Sequence, residues 1–374
     1  MNLADMLSYA DIHQLGKIAV SYGCECNGHS KNELIQAILS AIGKRELIDS
    51  FVHKMSMEDI RFINSLLFES KSGYSMEELT ARARQARFVQ PGQETELSRE
   101  MIVTYKHRGW LFNGYSQQTR YLFHVPDDIK TVIRRSLETR FVASLTYVDE
   151  PTAYRDEQWL IIDDIRHLLR YLATEDVLLT TDGTIYKRTL LSLFEGFAVK
   201  EEPLGRVGFR FGYGRKFREY PDRFSFIYDY CYYQHWIEED EGKLILTELG
   251  QAKAESLNKD ELGQIYRLWL RLYKGPIPNV LPLAYWLIRL SERWVTVASI
   301  IACLCPLVKP YYYDTPESVL ERRMIHMLMH LGLLQIGEHP LHGAVIRATK
   351  TAAAVIKGIS VSEEETIRLP EQPM

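Results

Sequence analysis

The sequence predicts a mainly α protein with small β-hairpins: an N-terminal helical module, three helix-plus-hairpin units and an acidic tail. Three observations carry this. Ser-x-x-acid signatures mark helix starts through the first quarter. Three later stretches each place a hairpin pattern after a run of helical periodicity. The 374 residues are 46% hydrophobic and 25% charged, an ordinary globular balance with enough apolar mass for a sizeable core. That length is a prior of two to three domains.

The same composition bounds function. Forty-five Lys and Arg face 49 Asp and Glu, for a net charge of −4. A wholly basic nucleic-acid coat is excluded, so any such contact must come from a local patch. Five Cys is a low, odd count, which suits reduced thiols and a cytoplasmic setting. The opening MNLADMLSYAD lacks a signal-peptide layout. The longest uncharged apolar runs, Gly275–Ile288 and Trp294–Val308, are shorter than the ~20 residues of a membrane span and read as core helices.

Taken in order, the helix starts are Ser8-x-x-Asp11, Ser30-x-x-Glu33, Ser56-x-x-Asp59 and Ser75-x-x-Glu78. The Ser side chain accepts from a free backbone N–H, and the acid reaches back to the cap. Leu34, Ile35, Ile38, Leu39 and Ile42 recur on one helical face, as do Ile12, Leu15 and Ala19. Between them lies a short extended stretch with Gly23 and Gly28 as turn points. Residues 8–43 resemble the SAP motif and the N-terminal helical module of transcription terminator Rho. The resemblance rests on Leu15, Gly23, Gly28, Lys31, Glu33, Leu34 and Ile35. It implies DNA or RNA contact through the start of the second helix, at Lys31. The plainer alternative is a helical hairpin used for packing.

Three stretches, 108–135, 235–256 and 331–358, read as helix end, strand, turn, strand, helix. Strands this short must pack on helices. Helical patterns precede each one: Met57–Leu67, Met76–Ala86 and Glu96–Lys106; Ile161–Ala173, Tyr186–Phe194 and Phe224–His235; Leu281–Leu290, Thr296–Leu304 and Pro316–Leu331. Three helices followed by a hairpin is the winged-helix arrangement. The expected divisions are a SAP-like module at 1–50 and winged-helix-like units at 51–145, 146–260 and 261–360. Residues 361–374, rich in Glu and Pro, read as a solvated acidic tail.

The order of modules, with Thr181, Asp182, Gly183, Thr184, Ile185, Tyr186, Lys187 and Arg188 in the middle unit, resembles bacterial helicase-associated proteins related to the XPB-type N-terminal region. That resemblance implies an accessory role beside a helicase. It brings no ATPase, because no G-x-x-x-x-G-K-[ST] loop occurs in the chain.

The sharpest charge feature is GRVGFRFGYGRKFRE, residues 205–219. Arg206, Arg210, Arg215, Lys216 and Arg218 alternate with aromatics and no acid intervenes between Arg206 and Arg218. Cations neutralise phosphates and aromatic faces stack on bases. The alternative is a strand with core aromatics and Arg groups that are solvated or paired inside. A second set lies in the first winged-helix-like unit: Arg82, Arg84, Arg87, Arg99, Lys106 and Arg108, the last two ending the third helix, with Arg120, Lys130, Arg134 and Arg135 beyond; the plainer alternative is a solvated face. His326 and His330 have an i,i+4 spacing, but no ligand set of four or catalytic Glu accompanies them, so no metal is expected.

The expected function is a non-enzymatic, cytoplasmic DNA-binding protein, a repair or helicase accessory factor or a regulator, without a cofactor. The alternative is a winged-helix adaptor between proteins. The missing phosphate loop generates a test: homogeneous protein should hydrolyse no ATP above buffer background. Turnover abolished by a point substitution in this chain would overturn the expectation.

Overall fold

The computed structural model describes residues 1–69, 71, 73–88, 95–205, 210–362 and 365–367. The protein is mainly helical with small antiparallel sheets. It divides into two units, Met1–Ser144 and Leu145–Met374. Among the described residues no helix is long and apolar enough to cross a membrane.

The first unit starts with helix Leu3–Tyr9, where Asn2 and Asp5 form the capping box. This corrects the Ser8 expectation. Ser8 lies in the last turn of that helix and its hydroxyl donates to the Asp5 carbonyl, while Asp11 caps the next helix, Ile12–Ser21. Ser30 caps Lys31–Ile42. Full capping boxes at Ser56 and Ser75 start helices Met57–Leu67 and Met76–Ala86. The expected break at residue 50 falls inside helix Arg45–His53. Phe51 on that helix packs edge-on against Tyr22 and Trp110. The Tyr22 hydroxyl donates to the Arg108 carbonyl (2.9 Å) and accepts from the Trp110 indole (3.2 Å). Residues 1–50 and 51–144 therefore share one core.

The hairpin of this unit pairs Phe112–Asn113 with Phe123–His124, and Tyr74 bridges to Phe123 on the other side. The order is thus helix, short strand, two helices, two strands, with the last strand central. The same order recurs twice in the second unit. Helix Leu160–Thr174, strand Val177–Leu178, helices Lys187–Glu195 and Asp222–Tyr233, and strands Ile237–Asp240 and Lys243–Leu246 make a three-stranded sheet with Lys243–Leu246 in the middle. Glu241 and Gly242, both at positive φ, make the two-residue turn that suits strand twist. Helix Val280–Leu290, strand Val295–Thr296, helix Val297–Leu304, the helical run Pro316–Ser318, Val319–Ile325 and His326–His330, and strands Leu334–His339 and Gly343–Ala348 repeat the scheme. Val319–Ile325 is wound as a π-helix.

A strand pairing runs across the expected division at 260/261. Strand Ala153–Arg155 adds to the third hairpin, with Tyr154 opposite Gly337 in an antiparallel register. Helix Leu262–Tyr273, buried along one face, was not anticipated. The tail also departs from expectation. Its described part docks on that helix: Arg271 and Lys274 donate to the carbonyls of Glu365 and Val361, and Arg267 pairs with Glu365. Ile367 N–H donates to the Arg271 carbonyl (3.1 Å). Glu363, Glu364 and 368–374 lie outside the described residues.

Gly332 turns the chain from helix His326–His330 into strand Leu334–His339 at φ +69°, and a Cβ there would stand 1.7 Å from the Gln158 carbonyl oxygen. Neither the backbone angle nor the space admits a side chain. Gly332→Ala should cost about 2–4 kcal/mol, read as a lowered urea midpoint of tryptophan fluorescence. An unchanged midpoint would contradict this packing.

Candidate nucleic-acid interface

The basic-aromatic stretch does not present its cations as a row. Arg206 lies outside the described residues. Arg210 donates to the Tyr220 carbonyl and pairs with Asp222. Arg215 lies over the Tyr232 ring (3.5 Å) and bonds Glu239 (3.2 Å), while its backbone N–H donates to Asp229 (2.9 Å). Lys216 donates to the Gly183 carbonyl (2.5 Å), in the turn of the TTDGT segment. Arg218 is exposed, with its guanidinium 5.6 Å from the Phe217 ring. Three of the expected phosphate contacts are therefore ties within the second unit. The expectation of an exposed cationic loop is corrected for Arg210, Arg215 and Lys216. The reason is that carboxylates and carbonyls far away in sequence converge on them.

The stretch works as a strap. Tyr213 is buried and its hydroxyl donates to Asp314 (2.9 Å). Arg323, on the π-helical turn, donates to Asp314 (2.9 Å) and to the Phe211 carbonyl (2.7 Å). Burial and the adjacent Asp314 carboxylate push the Tyr213 phenol up, so it stays protonated and donates. The third helix of the middle unit, Asp222–Tyr233, is buried from Arg223 to Cys231, so it cannot enter a groove of DNA.

Under that helix sits a charge cluster. Arg223, with no exposed side-chain surface, pairs with Glu157 (3.1 Å) and Asp164 (2.6 Å). Glu157 also meets His330 Nδ1 at 3.1 Å. Burial pushes Glu157 up, but His330, Arg223 and Arg155 together hold it below its ordinary value. His330 Nδ1 is thereby engaged by Glu157. Among the described residues no three His, Cys, Asp or Glu side chains converge on a possible metal position.

In the first unit the cations stand differently. Lys31 is exposed and donates to the Ser8 carbonyl (2.7 Å), tying two helices. Lys106 is half-buried, donates to Asn113 (3.1 Å), and burial lowers its ammonium pKa. Arg108 lies beside the Phe51, Tyr105 and Trp110 rings. Beyond them the third helix, Thr95–His107, keeps Arg99, Glu100, Val103 and Thr104 exposed. The hairpin turn exposes Tyr115, Gln117, Gln118, Arg120 and Tyr121, with Arg120 stacked on Tyr121 at 4.6 Å. Of this wing, the sequence reading picked out Arg120. The tyrosines carried a signal, since a turn has no packing reason to be aromatic. No family model and no curated protein matches the chain.

Burial raises Glu201 from 4.5 to about 7, against the pull of Arg223, and raises Asp229 from 3.8 to about 7 against Arg215 and Lys216. A carboxyl held up in the fold binds its proton more tightly there than in the unfolded chain. Its favourable contribution is full below the unfolded value and is lost as pH rises to about 7. The urea midpoint should therefore fall between about pH 4 and 7, and Glu201→Gln with Asp229→Asn should flatten that fall. A double variant with the parent's pH slope would refute the assignment.

Proposed function

We propose that the protein is a non-enzymatic DNA-binding factor whose contact surface lies in residues 1–144, with residues 145–374 serving as a tandem winged-helix body. One contrast supports this reading. The first unit's third helix and wing keep cationic and aromatic side chains in water, whereas the middle unit's third helix is buried and Arg210, Arg215 and Lys216 beside it are tied internally. Arg99, Arg120 and Tyr121 can reach a phosphate backbone and its bases from one hairpin and helix. The role beside a helicase, and a cytoplasmic setting, belong to the same proposal.

A second reading, a protein–protein adaptor, draws on the second unit. Leu341 at the tip of its last wing is 85% exposed and Tyr312 is 75% exposed, more than packing within the chain requires.

Titrating labelled DNA at 50 and 200 mM salt separates the two. The DNA reading expects a steep loss of affinity with salt. Arg99→Glu with Arg120→Glu should weaken binding to every sequence and flatten the salt slope by about one unit per lost contact. Arg215→Met with Lys216→Met should leave affinity intact and lower stability instead. A folded parent that ignores DNA at both salts would leave the adaptor reading.

A further inference from the structure

The first unit holds a groove of about 690 Å³ between its N-terminal helices and the hairpin. Small-molecule sites span ~300–1,000 Å³. On its wall Tyr9 and Tyr115 stack with ring centroids 4.8 Å apart and planes 20° from parallel. Both rings stay more than 60% exposed, at 63% and 62%. A stacked pair of rings left in water is poorly explained as packing and well suited to receive a third flat ring.

The polar lining narrows the ligand. Gln14 has its amide nitrogen buried with no hydrogen-bond partner among the described residues, so a donor waits there for an acceptor. Asp11 lines the groove beside it and accepts the Gln14 backbone N–H at 2.7 Å. The two lining lysines are already neutralised, Lys71 by Glu78 and Lys130 by Asp127 at 3.5 Å. The groove thus offers no net positive field for a phosphate. Aromatic faces with one free donor and a nearby carboxylate match a neutral heterocycle that carries both acceptors and donors on its edge. Arg120 does not line the groove and sits exposed outside it on the wing.

We infer that this groove takes an unpaired nucleobase of a single strand, stacked on the Tyr9–Tyr115 pair with its edge toward Gln14, while the strand's phosphates pass over Arg120. This rests on the nucleic-acid reading of the first unit and deepens it. In a duplex the bases are already stacked and paired, so entering the groove would require a base to leave the helix, at a cost a single strand does not bear.

The test is anisotropy of a labelled 15-nucleotide single strand, the same strand with its central bases removed as abasic sites, and a duplex, all with the full chain. The intact strand should bind about tenfold tighter than the abasic one. Tyr115→Ala should erase that difference and leave duplex affinity as it was, Tyr115→Phe should retain it, and Gln14→Leu should reduce it. The retained duplex affinity shows that a loss in Tyr115→Ala is not misfolding, and the phenylalanine variant shows that the ring and not the hydroxyl is required. Equal affinity for intact and abasic strands, or a Tyr115→Ala protein that still distinguishes them, overturns the groove assignment while DNA binding stands. Failure of all three nucleic acids to bind overturns the DNA reading itself.

Discussion

Arg223 is the constraint on which the second unit depends. Its guanidinium is wholly out of water, and a charge there is tolerable only if carboxylates meet it. Glu157 and Asp164 do so from the segment before helix Leu160–Thr174 and from that helix. Glu157 in turn reaches His330 on the last helix before the third hairpin. One buried cation thus fixes where three elements from the two helix-and-hairpin repeats of this unit must sit. The burial of helix Asp222–Tyr233 from Arg223 to Cys231 follows from it, because the residue that anchors the cluster is carried on that helix. The Asp314–Arg323 pair does the same for the strap, holding the Phe211 carbonyl and the Tyr213 hydroxyl against the π-helical turn. Such networks are weak sources of net stability, but removing one partner leaves an uncompensated charge and is costly.

What the sequence disclosed was local. Ser56 and Ser75 cap helices through bonds three residues long, so Met57–Leu67 and Met76–Ala86 could be bounded from the residues alone. The three hairpins were legible because apolar pairs flank Gly-containing or polar turns. Helix Leu262–Tyr273 was readable in its spacing of Ile265, Trp269 and Leu272, yet it lacks a side-chain cap of its own. The cap sits upstream at Asn258, before a short 3-10 turn. The fate of the basic stretch was not legible. Arg215 meets Glu239 across 24 residues and Lys216 meets Gly183 across 33, and no period in the sequence marks such pairings. Strand Ala153–Arg155 is hidden for the same reason, since its partner strand begins almost 180 residues later. The groove of the first unit escaped because Tyr9, Gln14 and Tyr115 come together only through the packing of helix against hairpin.

Charge placement distinguishes repeats that share one connectivity. A winged helix offers a partner its third helix and its turn. In the middle repeat the third helix is occupied by Arg223, Asp229 and a run of aromatics facing inward. In the first repeat the corresponding helix buries Met101, Ile102 and Tyr105 and leaves the opposite side wet. Many of the cations elsewhere are matched to specific carboxylates, as Arg215 is to Glu239 and Arg323 to Asp314.

The antiparallel pairing of Ala153–Arg155 with Leu334–His339 also sets a timetable. During synthesis the early strand emerges long before its partner and before the flanking strand Gly343–Ala348. At roughly 5–20 residues per second, the interval to completion of that hairpin is on the order of 10–40 s. For that period the edge of residues 153–155 has no sheet to join, and Glu157 awaits His330. The second unit therefore has the high contact order that slows folding, and its repeats cannot mature one after another as independent beads. A nascent chain of this kind has reason to meet a chaperone before its C-terminal hairpin leaves the ribosome.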